Sequence, residues 1–569
     1  METGQGDIEM CWRLPIIAMV AVLLGIASES PRAQESAAAD SLTSTLDFDP
    51  AKTDEYLVNA RRAAGLDEHE TSIYWFRKAL AARPSLASEL GKELGYQYTW
   101  AERADTAIVW FERYLEDHPG DIESQLGIAR AFAWSDRLDE ALDYYRSLLD
   151  TAPERETEVR VGIARVTSWK DLLDEAIALY DSILVEHPDN LEAKIGRAQA
   201  INWSGRHRQA AAIYSEMLAQ HPDNSEIREG LAQAYRWMGR NDLAAETIDM
   251  ASLDGLAREI RRDRAPAASY GYSANKDSDD IERLRHEVRG SFSPGYVTRV
   301  QAYYARWGIQ QPGFPDIDRD QIKALLRHRF SDMLALSVDL GYEWNSYDFS
   351  ALPPAPFWQE EFNLFLIDAF LTLFPRDYLR ADFGLFRGSL DNPEPVFRGI
   401  YITDLNAGLD WRFSPTLMTT GAAAYTDYSD GNSRVSFYGQ LEWQPVYQLP
   451  IGIRNRPRLI TYAGYLGFSE QLNNGYFSPD NYVTIFERGE LMMYFGDRVR
   501  LMLAGRLGFE NDDFDDWLFT GAIDGYISGR LVDDLSLTVG YYNSQSRLDT
   551  RSGYQADGWY LTLDYLWVR

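Results

Sequence analysis

Leu405-Asn406-Ala407-Gly408-Leu409-Asp410-Trp411-Arg412-Phe413 alternates without a break. Leu405, Ala407, Leu409, Trp411 and Phe413 fall on one side, and Asn406, Gly408, Asp410 and Arg412 on the other. Successive side chains of a strand point to opposite faces, so this stretch reads as a strand with one apolar and one polar face. The same period runs through Leu334–Trp344, Val435–Trp443, Val499–Phe509, Leu535–Tyr541 and Trp559–Trp567. About sixteen such segments fit between residue 266 and residue 569, an even number as bacterial outer-membrane barrels require.

A soluble sandwich also alternates, and the connections decide between the two. Ser293-Pro294-Gly295, Ser331-Asp332, Pro375-Arg376-Asp377, Ser414-Pro415, Gly496-Asp497 and Val532-Asp533-Asp534 are short. Residues 308–320, 345–358, 388–402, 469–481 and 542–557 are long. Short turns on one side and long loops on the other mark an outer-membrane barrel. The connection at 444–457 is long where a short one is due, which leaves the strand count open by one hairpin. Trp344, Trp411, Trp443, Trp517, Trp559 and Trp567 sit at strand ends, where amphipathic rings favour the headgroup level. The last strand departs from the usual aromatic ending by closing on Val568-Arg569.

Upstream, from about 50 to 262, the period changes. Pro84, Pro119, Pro153, Pro188 and Pro222 recur in step with Trp100, Trp134, Trp169, Trp203 and Trp237. The spacing is about 34 residues, the length of a tetratricopeptide helix pair. Gly127, Gly162, Gly196 and Gly230 mark close helix approaches. Ala107, Ala141, Ala176 and Ala210 each precede an aromatic by one turn: Phe111, Tyr145, Tyr180 and Tyr214. Small residues against large ones at this spacing interlock neighbouring helices. The tryptophans are therefore expected to be repeat core, and His118, His187 and His221, each before a repeat proline, to mark turns between repeats. The alternation begins after Arg261-Arg262-Asp263-Arg264-Ala265-Pro266. The expected class is thus an α-solenoid over 50–262 followed by an antiparallel transmembrane β-barrel of about 16 strands over 266–569.

The remaining observations bound the function. Arg13 precedes an apolar run from Leu14 to Ile26, too short to span a bilayer. Residues 1–33 are therefore expected to be a secretory signal cleaved after Ala27 or Ala33, with 34–49 a linker. The one cysteine, Cys11, lies inside that segment, so no disulfide or cysteine metal site is expected in the mature chain. Among 569 residues, 45% are hydrophobic and 25% charged, with net charge −31. Nothing in that balance would neutralise a phosphate backbone, so nucleic acid is excluded as a partner. No catalytic constellation is apparent, so the chain is not expected to be an enzyme and no cofactor is expected. The acidic runs Asp277, Asp279, Asp280 and Asp512, Asp513, Asp515, Asp516 lack the spaced ligands of a calcium loop and read as solvated loops.

The repeat segment Ala133-Trp134-Ser135-Asp136-Arg137-Leu138-Asp139-Glu140-Ala141, followed by a barrel, resembles the YaiO-type outer-membrane β-barrel family with N-terminal tetratricopeptide repeats. It is also similar to the poly-N-acetylglucosamine export porin and the cellulose synthase operon protein C. Gly475-Tyr476-Phe477-Ser478-Pro479-Asp480-Asn481-Tyr482 is similar to a stretch of those barrels. The resemblance implies export of an exopolysaccharide across the outer membrane. The repeats would lie in the periplasm and bind the polysaccharide chain, periplasmic glycan-modifying enzymes or other proteins of the system.

If the apolar set faces outer-membrane lipid, the pore side receives Asp339, Glu343, Asp382, Asp404, Asp410, Glu442, Asp524 and Asp564. It also receives Arg299, Arg380, Arg412, Arg500 and Arg506, with Tyr438, Tyr526, Tyr542 and Tyr560. Two readings stand side by side. In one, the carboxylates attract a partly deacetylated, cationic glycan while tyrosine faces give sugars weak, repeated stacking. In the other, opposite charges pair across the lumen and hold its shape. An open pore would leak, and the segment 388–402 is the candidate plug. A barrel plugged for good would instead anchor the repeats as a scaffold.

Overall fold

The computed structural model describes residues 47–567 apart from 252–254, 351–357, 360, 446–448, 450–452, 497, 514–515 and 546–555. The expected signal segment and most of the linker lie outside the described residues. The helical array through Ser204 and the remainder from Gly205 form two compact units, taken in turn.

The first unit stacks helix pairs: α1 (Thr53–Ala64) with α2 (His69–Ala82), α3 (Gly91–Trp100) with α4 (Ala104–Asp117), and α5 (Ile122–Trp134) with α6 (Leu138–Thr151). Then come α7 (Glu156–Trp169) with α8 (Leu173–Glu186), and α9 (Leu191–Trp203). Short polar caps start some of them: Asp121 accepts from the Ser124 amide and Asn190 from the Ala193 amide, both at 2.9 Å. A left-handed residue follows the first helix of each pair, Asp67, Glu102, Asp136 and Asp171 at φ 57°, 58°, 62° and 59°. The repeat glycines let the second-helix aromatic of one pair lie on the first helix of the next. A Cβ on Gly127 would stand 2.7 Å from the Phe111 ring, and one on Gly162 2.5 Å from Tyr145. Charges link successive pairs as well: Arg155 to Glu123 at 2.7 Å and Arg130 to Glu158 at 2.5 Å.

The tryptophans are not the core expected of them. Trp100, Trp134 and Trp237 are 49%, 50% and 40% exposed, and Trp169 and Trp203 are half-buried. Each is the last residue of its helix, while the inner positions are taken by Phe111, Tyr145, Tyr180 and Tyr214 with their alanines, all buried. The period is real, but it tracks the helix end.

The second unit begins with α10 (His207–Gln220), α11 (Ser225–Trp237), α12 (Asn241–Thr247) and α13 (Gly255–Arg264). The helices give way to β1 (Ala267–Asp277), β2 (Glu282–Phe292), β3 (Thr298–Gln310), β4 (Ile317–Arg329), β5 (Leu334–Ser346), β6 (Phe362–Arg376), β7 (Leu379–Ser389) and β8 (Tyr401–Ser414). The series continues with β9 (Leu417–Tyr428), β10 (Ser433–Trp443), β11 (Arg454–Phe468), β12 (Tyr482–Phe495), β13 (Val499–Asp512), β14 (Leu518–Val532), β15 (Leu535–Gln545) and β16 (Ala556–Leu566). Each pairs antiparallel with its neighbours, and β16 pairs with β1, so the sheet closes without an edge.

Apart from Tyr438 and Leu518, the exposed large apolar side chains of the strands fall on one parity, among them Leu284, Val288, Ile322, Leu326, Leu340, Leu405, Leu409, Phe437, Leu503, Leu507 and Ile523. A continuous apolar belt of this extent needs lipid rather than water. No helix among the described residues is long and apolar enough to cross a membrane.

The connection expected over 308–320 is shorter than foreseen, because β3 runs to Gln310 and β4 starts at Ile317. Those strand ends carry Arg306, Asp318 and Asp320 on the outer face, with Arg306 and Asp318 paired at 3.0 Å. Polar residues on the lipid-side parity hide a strand from an alternation test where it projects past the apolar belt.

Arg208 ties the last helices to the turn side of the barrel. Its Nε donates to Asp332 Oδ2 at 2.8 Å, its Nη2 to the carbonyls of Asp332 and Phe374, and its amide to Asp377 Oδ2 at 2.8 Å. Arg262 donates to the Asp533 carbonyl and Arg299 to that of Asp263.

Candidate functional site: the lumen and its mouth

Strand register identifies the inner face, because each residue's direct partners share its side of the sheet. From Asp339 the row runs to Asp368; from Tyr438 it runs through Ala422 and Gly408 to Asp382; from Asp524 it runs to Tyr542. All seventeen pore-side candidates have the parity opposite the apolar belt. A sixteen-strand cylinder is wide enough to keep water inside.

Their surroundings differ. Asp524 is paired with Arg488 at 2.5 Å, Arg488 with Glu490 at 2.7 Å, Arg458 with Glu490, and Arg458 with Glu442 at 3.2 Å. These form a chain of alternating charge across β10 to β14. Arg380 pairs with Asp382 at 2.8 Å and lies 3.9 Å from Asp410, and Asp404 has Arg434 at 3.9 Å. Arg299 donates to Ser291, and Arg506 lies over the Phe486 ring and donates to Ser544. Arg412 and Arg500 are exposed near the turn side. Asp564 stands between Ser269 and Ser536 in register. Tyr560 lies over Gly540, Tyr542 over Gly558, and Tyr526 neighbours Gly540.

Glu343 needs a different reading from the rest. It is fully buried with Arg319, Gln321 and Asn345. Arg319 Nε lies 3.4 Å from its carboxylate, Gln321 Nε2 donates to it at 2.5 Å and Asn345 Nδ2 at 3.1 Å. A carboxylate so enclosed holds neighbours in place and meets no solute.

What encloses it is the connection between β7 and β8. Arg319 Nη2 donates to the Leu390 carbonyl at 2.7 Å. Arg283 Nε donates to the Asp391 carbonyl at 3.1 Å and its Nη2 to Asn392 Oδ1 at 2.9 Å. Both arginines face the lumen, from strands three and five places round the wall from β7. A loop that reaches them lies across the mouth. Its short helix α14 (Pro393–Phe397) seats Val396 and Phe397, both fully buried, against inward-facing Ile309, Ile317, Phe362, Leu364 and Leu366. The Phe397 ring also meets Tyr347, Phe349, Phe314 and Trp358 at centroid distances of 4.9, 4.9, 5.9 and 5.7 Å.

The opposite side of the loop is held too. Asn392 Nδ2 donates to the Gly475 carbonyl at 3.0 Å. Gly475 has φ 78°, and a Cβ there would meet the Glu394 Cβ at 2.5 Å, so this position needs glycine twice over. Next to it, Tyr476 donates to Asp430 at 2.8 Å and stacks on Tyr428. Burial and the Asp430 carboxylate raise the Tyr476 hydroxyl well above the usual phenol range. The segment Gly475–Tyr482 thus belongs to the clasp of the mouth.

Sequence reading missed Arg458, Arg488 and Glu490, although they obey the same alternation. It also missed the inward apolar seat. Its signal was present in Phe362-Asn363-Leu364-Phe365-Leu366-Ile367, apolar on both parities, as in strands covered on both faces. Among the described residues no group of three or more His, Cys, Asp or Glu is placed to hold a metal.

The tetratricopeptide repeat family matches residues 204–259. No curated protein matches the chain. Among solved structures, a bacterial polysaccharide outer membrane secretin is 11% identical, covering 53% of this chain and 99% of its own, with TM-score 0.43. A tetratricopeptide repeat protein from Parabacteroides merdae is 18% identical over 36% of this chain and 79% of its own, with TM-score 0.28. A thermophilic repeat protein of Thermus thermophilus is 24% identical over 28% and 88%, with TM-score 0.26. The architecture rests on the repeats and on the closed strand register described above: helical repeats followed by a sixteen-strand barrel.

Proposed function

We propose that this repeat-bearing barrel passes an exopolysaccharide from the periplasm to the cell exterior, with residues 390–400 as a movable closure. The helical repeats stand on the periplasmic side and gather polymer or glycan-modifying enzymes. The observation that carries the reading is the inner wall, where charged and polar side chains and partly exposed tyrosines are spread round a cylinder that needs no packed core. Polar contacts that are numerous and individually weak suit a chain that must keep moving.

The pairing of Asp382, Asp404, Asp410, Glu442 and Asp524 with arginines favours a shape-holding role for these carboxylates. Attraction of a cationic glycan then falls to carboxylates such as Asp339, which faces Asp368 in register. A second reading, a plugged barrel that anchors the repeats as a scaffold, is favoured by the seated Phe397.

Deleting the gene and assaying polysaccharide in medium and periplasm separates the two. Under the export reading polymer disappears from the medium and accumulates inside, and an intact barrel without repeats partly restores release. Restoration by the soluble repeats alone would support the scaffold.

A further inference from the structure

Tyr438, on the inner face of β10, ends a row of stacked rings. Its ring lies 5.6 Å from Tyr462 at 20°, and Tyr462 lies 4.5 Å from Phe486 at 11°. Rings stacked along the hydrogen-bonding direction cover one another's faces and turn their edges to the lumen, so the interior members offer little stacking surface to a sugar. Tyr438 differs because its other neighbours in register are Ala422 and then Gly408. It remains 40% exposed although it faces inward.

Beyond this floor the row rises again at Asp382, with Phe370 beside it over Gly384. Three strand spacings of about 4.8 Å separate Tyr438 from Asp382, roughly 14 Å of wall. The notch between them encloses about 420 Å³, within the range of about 300–1,000 Å³ usual for small-ligand sites. Its charged lining is Arg380, Asp382 and Asp410, with Arg380 half-exposed between two carboxylates and Asn406, Thr420 and Ser436 as neutral polar neighbours. A Cβ built on Gly408 meets nothing nearer than 3.9 Å, so the floor is open space.

We propose that this notch is a pyranose-binding subsite, in which Tyr438 stacks on the apolar face of a sugar and Arg380 and Asp410 engage its hydroxyls. Two carboxylates against one guanidinium make it a site for neutral or amino-bearing sugars and disfavour uronates. The inference rests on the export reading for its biological use, though the binding itself does not depend on transport.

Equilibrium binding to the full chain in detergent, by calorimetry or saturation-transfer NMR, tests it with three probes: cellohexaose, a glucosamine hexasaccharide and a galacturonate hexasaccharide. The first two are expected to bind at least tenfold more tightly than the third. Tyr438→Ala weakens binding at least tenfold, Tyr438→Phe stays within threefold because the face and not the hydroxyl is used, and Gly408→Val fills the floor and abolishes binding. Heat-modifiable migration confirms that each variant is a closed barrel; a variant that fails this check is replaced by Ala422→Val, which fills the same floor. Binding unchanged in both Tyr438→Ala and the floor variant, equal or tighter binding of the uronate, or no binding of any probe overturns the proposal. Polymer release that persists when the gene is deleted, with binding to the purified chain intact, would count against export and leave the notch standing. Release that depends on the gene, with no binding of any probe, would remove the notch alone.

Discussion

Arg283 Nη2 donates to Asn392 Oδ1 at 2.9 Å, joining the wall at β2 to a loop that starts five strands away. The pair is buried, and Arg283 also holds Asp277 at 2.9 Å. A side chain reaching out of the inner wall to a loop from so far round fixes that loop over the opening. Arg319 repeats the arrangement from β4. The closure is therefore built from a few charge-assisted bonds and one apolar seat, and each can be removed by itself.

Arg208 joins the last helices to the barrel, serving Asp332, Asp377 and two backbone carbonyls at once. Arg208→Ala removes the side-chain donors to Asp332 and to the Phe374 carbonyl while the backbone amide keeps its bond to Asp377, at a cost of about 1–3 kcal/mol. Hydrogen exchange over α10 should speed up markedly while the barrel strands stay protected. Lysine at this position should rescue only in part, since it lacks the planar fork.

Within the repeats, Gly162→Ala places a Cβ 2.5 Å from the Tyr145 ring. Tyr145 is buried and has little room to give. Overpacking of this kind costs about 1–3 kcal/mol, and thermal melting followed by helical circular dichroism should fall by several degrees. An unchanged melting temperature would mean that the repeats slide to accommodate the methyl.

Acid should loosen the same array. The hydrogen bond from Arg155 holds the Glu123 carboxyl below its usual range. A depressed carboxyl contributes stability that is present above its unfolded pKa of about 4.3 and is lost as pH falls through the folded value. Exchange protection between α5 and α7 should therefore decline below about pH 4. Glu123→Gln should be weaker at neutral pH and show a flatter acid response.

The alternating charges in the wall give a double-mutant test. Arg488→Ala and Asp524→Ala each remove one side of the pair. Their effects on barrel melting should be less than additive, with a coupling of about 1 kcal/mol for a pair in contact with lumen water. Full additivity would show that the two groups do not interact.

Much of this molecule was legible because both halves are periodic. The spacing of Pro119, Pro153 and Pro188 sets the helix pairs, and the alternation from Leu405 to Phe413 sets a strand and its two faces. Periodicity says where a residue recurs and not what it touches. The tryptophans recur faithfully and yet sit half-exposed at helix ends, whereas Phe111 and Tyr145 fill the interior. Glu343 has the parity of a pore residue but is sealed under the mouth, which depends on where residues 390–400 fold. Contacts between loops far apart in sequence, such as Asn392 with Gly475, leave no period to read. The doubly apolar start of β6 was the one local trace of the seat for Phe397.

The closure is best tested by ion conductance of the full chain in a planar bilayer, with residues 393–397 replaced by a glycine-serine linker of equal length. The unaltered protein should carry a small or intermittent current, and the replacement a steady, salt-dependent one. Arg283→Ala with Arg319→Ala should fall between them. A replacement variant that inserts as a closed barrel and carries no current would contradict a movable plug over a water-filled lumen.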